Sequence, residues 1–336
     1  MKNLSCAPAK AILFGEHYTV YGAPGIVAAI EPKNKMQIET APSDDAHLNY
    51  ITTRKESCIS QKLSEGKYSP HPISALYCHY SDTYPQISKM KINAKVLSAW
   101  NLKGVGNSAS LSACFAYGIR KALKLKTDLK DIFWDVHIAE TAAHGSPSGI
   151  DAAAVCFGGV LEYKKNFEGS ADISKIKFKI GKEFSFALID TYSKDREHSN
   201  TKEMIEKFAK ANSIRSKPQE ISKKQRNGIS SPYVKIFERA QEALNSADMN
   251  LLSDCMNKNH SLLKKSNVSS KSIELALSTA LKNGALGAKM TAAGGIGGAA
   301  IALCEKSKIE RMTKALSKNG FEVYEFNISK KGVGEL

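Results

Sequence analysis

One residue constrains this chain more than any other: Glu140, an acid on the apolar face of a helix. From Asp128/Asp131 onward, Ile132, Phe133, Val136, Ala139 and Ala143 recur at helical spacing, and Glu140 follows Val136 by four positions and Phe133 by seven. It therefore points with them toward the core. An ionised carboxylate there must be paired, hydrogen-bonded or metal-bound, because burying it alone is costly. A structural ion pair would satisfy it, and so would a bound cation. Directly after it, His144-Gly-Ser-Pro-Ser-Gly-Ile-Asp151 forms one tight loop closed around Pro147. Proline and glycine fix a non-repetitive backbone that can hold Asp151 at a site, although Asp151 is equally placed to cap a helix running on from Ala152.

Three more segments stand out. Lys103-Gly-Val-Gly-Asn-Ser-Ala-Ser110 leads into a helix whose Leu111, Cys114, Phe115, Ile119 and Ala122 share one face, with Asn107 or Ser108 placed to cap it. Glycines let the backbone approach a ligand, and free amide groups at a helix start attract phosphate, though such a cap also serves packing alone. The segment is neither a GxxxxGK[ST] loop nor a strand–GxGxxG–helix unit. Lys289-Met-Thr-Ala-Ala-Gly-Gly-Ile-Gly-Gly298 sets four glycines in five positions before an apolar strand, either pressed against a ligand or making a tight packing turn. Ala7-Pro-Ala-Lys10 enters a strand, and Gly15-Glu-His17 follows at the next turn. That group could orient an anionic substrate unless Lys10 simply lies on the surface.

With 336 residues the chain is long enough for two domains or one two-lobed unit. Its 48 Lys+Arg against 33 Asp+Glu leave +15, which favours anionic partners: nucleotides, phosphorylated metabolites or nucleic acid. The basic residues are scattered, as at Lys164-Lys165, Lys223-Lys224 and Lys264-Lys265, so a solvated lysine surface is expected and nucleic acid is not. Seven widely spaced cysteines, with no CxxC pair, fit a reducing cytoplasm. The stretch MKNLSCAPAK lacks an apolar signal core, and no segment approaches the ~20 apolar residues of a membrane span.

Along the chain the pattern predicts strands at 10–14 and 25–30, no clear period over 43–90, and a strand at 186–189. Beyond it come a helix over 201–213, a Lys/Gln/Pro/Gly-rich connector over 216–231 and amphipathic helices over 233–284. After the glycine-rich turn at 292–298 it predicts a strand at 299–303, a helix at about 307–318 and a strand at 321–328. A division near 180–185 is the most natural.

Together the four segments resemble the GHMP kinase superfamily, and most closely its mevalonate kinases. APAKAILFGEHYTVYG is similar to APGK-x-x-LFGEH-x-VVYG, GVGNSASLSA stands where the family has GLGSSAA, and AKMTAAGGIGGAAIAL resembles KLTGAGGGGCAIAL. ETAAHGSPSGIDAA resembles the E-x3-HG-x-PSG-x-D signature of mevalonate kinases and is the most discriminating of the four. The departures are Asn107 for the first serine of GLGSSAA, Trp100 where a proline commonly precedes that loop, Ala9 for glycine in APGK and Ala292 for glycine in the third motif.

The resemblance implies an α+β two-lobed GHMP kinase fold. Its N-terminal lobe (1–182) would be like ribosomal protein S5 domain 2, its C-terminal lobe (183–336) would be ferredoxin-like, and the site would lie between them. It implies ATP-dependent phosphorylation of the 5-hydroxyl of mevalonate, with Mg2+ as cofactor. Lys103, Gly104, Val105, Gly106, Asn107, Ser108, Ala109 and Ser110 would wrap the ATP phosphates, and Ser108 and Glu140 would ligate Mg2+. Asp151 would be the general base beside Lys10, which stabilises charge on the transferring phosphoryl group. Glu16, His17 and Ser148 would line the mevalonate side with Lys10 and Asp151. The Gly294–Gly298 loop would brace the phosphate loop, with Ala293, Gly294 and Gly295 as the supporting residues. Tyr192, Ser193, His198 and Thr201 are further candidates for substrate contacts. The expected partners are ATP and mevalonate, without nucleic acid or membrane, a homodimer being left open. Alternatives are another small-molecule kinase of the superfamily (acting on phosphomevalonate, on the 3-hydroxyl of mevalonate, or on a sugar) and a non-catalytic ligand sensor on the same fold.

Overall fold

Two sheets organise the protein, whose computed structural model describes residues 1–52, 58–65, 70–167, 170–178 and 180–336. The spine of the first sheet is β1 (Lys2–Phe14) and β2 (Gly25–Pro42), antiparallel from Lys2↔Glu39 to Phe14↔Ile26. The strands expected at 10–14 and 25–30 are the inner ends of these two. Next come β3 (His47–Ile51), β4 (Ile59–Lys62), α1 (Pro72–Thr83), β5 (Met90–Ser98), α2 (Asn107–Ala122), α3 (Leu129–His144), α4 (Ile150–Phe157), β6 (Val160–Lys165) and β7 (Ala171–Ile176). The sheet runs β1-β2-β5-β3-β4, with β6 pairing the start of β2 and β7 outside it. Within 43–90, where the sequence carries no clear period, residues 53–57 and 66–69 lie outside the described ones.

Helices α2 and α4 lie directly on this sheet, and α3 packs its apolar face over them and against α1. Cys114, Phe115 and Ile119 of α2, and Ile132, Phe133, Val136 and Ala139 of α3, are buried in one core with Val27, Ile38 and Ile92. Two caps differ from expectation. Gly106, in the left-handed region, holds the cap position of α2, so Asn107 is its first helical residue. Gly149 does the same for α4, so Asp151 is that helix's second residue and not its cap.

The second sheet begins with β8 (Phe184–Asp190). A helical stretch follows: α5 (Tyr192–Asp195), α6 (Thr201–Ala211), α7 (Lys223–Ser246), α8 (Met249–Lys265) and α9 (Lys271–Lys282). Then come β9 (Ala285–Thr291), β10 (Ala299–Glu305), α10 (Lys306–Lys318) and β11 (Glu322–Phe326). Its antiparallel order β11-β8-β10-β9 is 4-1-3-2 in chain sequence, the ferredoxin-like arrangement. The expected connector over 216–231 is half wrong: from Lys223 it is helix, running on through Gly228 and Pro232. A capping box starts α7, with Ser222 Oγ accepting from Gln225 N at 3.3 Å and the Gln225 side chain accepting from Ser222 N at 3.1 Å. The burial of Tyr233 and Phe237 carries it past the proline.

After β11 the chain returns to the first sheet. Ser329 N donates to Ala29 O at 2.8 Å, Gly159 N to Ser329 O at 2.7 Å and Val333 N to Val155 O at 2.8 Å, and β12 (Gly334–Glu335) pairs with Ser5 and Cys6 of β1. No helix among the described residues is long and apolar enough to cross a membrane. The cysteines are free thiols, all buried except Cys58.

Candidate active site

The four glycine- and acid-bearing segments, far apart in sequence, line one cleft of about 760 Å3. One wall of it is the entry to α2. Lys103, Gly104, Gly106, Asn107 and Ser108 face the cleft, whereas Val105, Ala109 and Ser110 are fully buried. Val105 O accepts from Lys10 N at 2.8 Å, and Ser110 Oγ donates to Ala7 O at 3.0 Å, so these residues tie the loop to β1. A side chain at Gly106 would strike the Lys10 methylenes, its Cβ lying 2.7 Å from Lys10 Cγ. The glycine is what lets Lys10 pass beneath the loop.

Asn107 does not turn its side chain outward as a cap. Its Nδ2 donates to Trp100 O at 2.7 Å and to Leu102 O at 2.9 Å, and its Oδ1 accepts from Asn34 Nδ2 at 3.1 Å. The side chain is spent on holding the approach to the loop. Trp100, in the place of the usual proline, is pinned by Nε1–H to Pro32 O at 2.7 Å and packs edge-on to Tyr324.

Two acid-centred pairs share the cleft. Ser108 Oγ donates to Glu140 Oε1 at 2.6 Å, and His144 Nε2 lies 3.6 Å from Glu140 Oε2. Burial pushes the Glu140 carboxyl above its ordinary value, and the nearby Asp151 adds to this, outweighing His144 and Ser108. The second pair is Lys10 Nζ and Asp151 Oδ1 at 3.0 Å. Among the described residues no three His, Cys, Asp or Glu side chains converge as a metal cluster. Ser108 and Glu140 together present oxygen donors at the cleft.

Glu16, His17 and Ser148 line the same cleft. Glu16 forms a fully buried ion pair with Lys289, which also donates to Met290 O at 2.8 Å, while Glu16 Oε2 has no hydrogen-bond partner among the described residues. Burial raises Glu16 and lowers Lys289, despite their mutual attraction. His17 is lowered to about 4 by burial and so is neutral. Its Nε2–H donates to Ala293 O at 3.0 Å and its ring stacks on Phe208. Ser148 Oγ accepts from Ile150 N at 3.4 Å at the entry to α4.

The 292–298 loop closes the cleft from the second sheet. Gly104 sits against Ala299, where an added Cβ would come within 3.2 Å of that residue's Cβ. The loop itself is strapped by the end of α5 and the segment after it: Gly297 N donates to Asp195 Oδ2 at 2.9 Å, and Ile296 N to Ser199 Oγ at 3.0 Å. Of the four added candidates, His198 and Thr201 line the cleft. Tyr192 stacks on His198 at 4.0 Å and Ser193 bonds to Asp190 O and Gly320 O, both outside the cleft.

Three contributors were not singled out from the sequence. Lys289 carries the same signal as Glu140, a charge within an apolar run. His144 follows Glu140 by four helical positions and so had to lie beside it. Thr291 exchanges hydrogen bonds with Ile12 N (3.0 Å) and Ile12 O (3.1 Å), clipping β9 to β1, a role no local pattern announces.

Comparison with known proteins gives two family matches: the GHMP kinases N terminal domain over residues 78–159 and GHMP kinases C terminal over 240–322. The mevalonate kinase of Thermococcus sibiricus is 26% identical over 348 residues, spanning 99% of this chain and 98% of that protein. Among solved structures, Methanococcus jannaschii mevalonate kinase superposes with a TM-score of 0.76 at 22% identity over 98% of each chain. Lactococcus lactis galactokinase, complexed with galactose, gives 0.78 at 18% identity over 100% of this chain and 95% of that one. These two structures speak for the fold alone. Both halves of the family are matched in order and the motifs of each face one cleft, so the chain carries the N-terminal and C-terminal domains of the GHMP kinases.

Proposed function

We propose that this kinase transfers the terminal phosphoryl group of ATP to the 5-hydroxyl of mevalonate, giving 5-phosphomevalonate and ADP. The observation that carries the reading is the HGSPSGID loop, which brings Asp151 within 3.0 Å of Lys10 in the same cleft as the Ser108–Glu140 pair. The name shared by the full-length relatives supports the acceptor.

The amides at the start of α2 and the positive end of its dipole receive the ATP phosphates, with Lys103 at the same wall. Ser108 and Glu140 fit Mg2+: both offer oxygen, few protein ligands suffice for this ion, and Glu140 is a buried carboxylate short of positive charge. Held there, Mg2+ would neutralise charge on the phosphate oxygens. Asp151, partly open to the cleft, accepts the proton of the attacking hydroxyl. The hydroxyl oxygen forms the new bond to phosphorus as the bond to the ADP oxygen breaks. Lys10 holds Asp151 in place and faces the charge that spreads over the transferring oxygens. Glu16, neutral His17 and Ser148 shape the acceptor side. The 1–182 lobe would carry the phosphate and acid groups and the 183–336 lobe the closing glycine loop, and the free thiols favour a cytoplasmic setting.

A sugar acceptor is the second reading, since the fold, shared with a galactokinase, leaves the acceptor open. A coupled ADP-release assay across mevalonate, 5-phosphomevalonate and galactose separates the two. Turnover with mevalonate alone is expected, and turnover of the sugar without mevalonate would overturn the acceptor.

A further inference from the structure

We propose that Tyr163 and Lys165 are positioning residues for phosphoryl transfer: from β6 they hold the carbonyls of Ser148 and Pro147, and so set where α4 begins and where Asp151 points. The inference rests on the reading of Asp151 as the group that receives the acceptor's proton.

The loop between α3 and α4 has few bonds of its own. Ser146 N reaches back to His144 O at 3.0 Å, and Ile150 N makes only the long 3.4 Å bond to Ser148 Oγ. The short bonds come from outside it. Tyr163 Oη–H donates to Ser148 O at 2.6 Å, and Lys165 Nζ donates to Pro147 O at 2.9 Å. Tyr163 and Lys165 are two apart on a strand, so both emerge from the same face and grip successive carbonyls. Burial pushes the Tyr163 hydroxyl up, so it remains a donor at any working pH.

Gly149 is shaped to this grip. Its φ is +91°, and a Cβ there would lie 2.3 Å from the Tyr163 hydroxyl and 3.6 Å from His137 Nδ1, which is itself buried without a partner. Gly149 is the residue before α4, and Asp151 is two positions further on.

The grip also places both members of the catalytic pair on one frame. β2 pairs with β1 at Lys10↔Ala29 and with β6 at Gly25↔Tyr163. Lys10 is thus fixed to β2 directly, and Asp151 through Tyr163, Ser148 and the start of α4. The 3.0 Å separation between them is set across that strand.

The test measures single-turnover phosphorylation by Tyr163→Phe and Lys165→Met, each in the native and the Asp151→Asn background. Each change alone should slow transfer roughly 10- to 100-fold, as expected when a reacting group is displaced by about 1 Å, with the KM for ATP and the unfolding midpoint nearly unchanged. In the Asp151→Asn background neither should cause further loss, because residues acting through one group are not additive. Native rates in both β6 variants, or an equal loss in both backgrounds, would overturn the proposal. Lys165→Met decides the matter if Tyr163→Phe folds poorly, since Lys165 is only half-buried. Normal transfer by Asp151→Asn would sink the base assignment together with this inference, whereas native rates in the two β6 variants sink this inference alone.

Discussion

Lys10 and Asp151 lie 3.0 Å apart but are unequally placed: the lysine side chain is 1% exposed, the aspartate 30%. The cation is locked beneath the phosphate loop while its partner opens to the cleft. Such a pair keeps its charge in a fixed position and leaves one carboxylate oxygen free for a ligand. Asp151→Asn should therefore lower single-turnover phosphorylation by roughly 10²- to 10⁴-fold, the range of general acid–base catalysis, with little change in ATP binding. Retention of near-native turnover would rule out its role as base.

Glu140 ties stability to function in the opposite direction. Its carboxyl sits above the ordinary 4.5 because burial disfavours the ionised form. The folded protein then holds this proton more tightly than the unfolded chain, so stability is lost as pH rises from that ordinary value through the raised one. Glu140→Gln should raise the unfolding midpoint of the ligand-free protein near neutral pH, and the gain should vanish below about pH 4. Phosphoryl transfer should fall, and the stabilisation by Mg-ATP should shrink relative to the native chain. Thermal melts across pH, with and without Mg-ATP, check all three outcomes.

His17 gives a second pH window. Burial lowers it from 6.5 to about 4, so the neutral ring is the form the fold prefers. The stability it supplies is complete above 6.5 and is lost as pH falls from there toward 4. Chemical denaturation of His17→Gln should show a shallower decline across that interval. An unchanged slope would mean that His17 titrates as it does in the unfolded chain.

Ala292 stands in the left-handed region at φ +61°, in the place where the third motif usually has glycine. A Cβ there costs roughly 1–2 kcal/mol, part of which the freer unfolded glycine chain would offset. Ala292→Gly should stabilise the protein by about 1 kcal/mol in urea titration and leave the KM values nearly unaltered.

Charges in apolar surroundings made much of the site legible. Glu140 among Val136, Ala139 and Phe133, and the proline–glycine loop leading to Asp151, identified two acids before any geometry was known. The side chain of Asn107 was not legible, because whether an amide faces a ligand or its own chain is decided by Trp100, Leu102 and Asn34, distant or non-helical partners. The helical 223–231 segment was hidden by Lys, Gln, Gly and Pro composition, which the burial of Tyr233 and Phe237 overrides. Tyr163 and Lys165 had no local signal at all: their function lies in carbonyls about 15 residues earlier, and backbone acceptors leave no mark in a sequence.

The return of residues 328–335 to the first sheet has a consequence for synthesis. The edge of β1 is paired at Ser5 and Cys6, and the far end of α4 is held, by residues that emerge only after the whole ferredoxin-like lobe. The first lobe therefore cannot finish folding as an independent N-terminal unit while the chain is being made. Until residue 335 is available it carries an open strand edge, the feature that recruits foreign strands. Chains cut short within the second lobe should accordingly aggregate through the first, far from the cut itself.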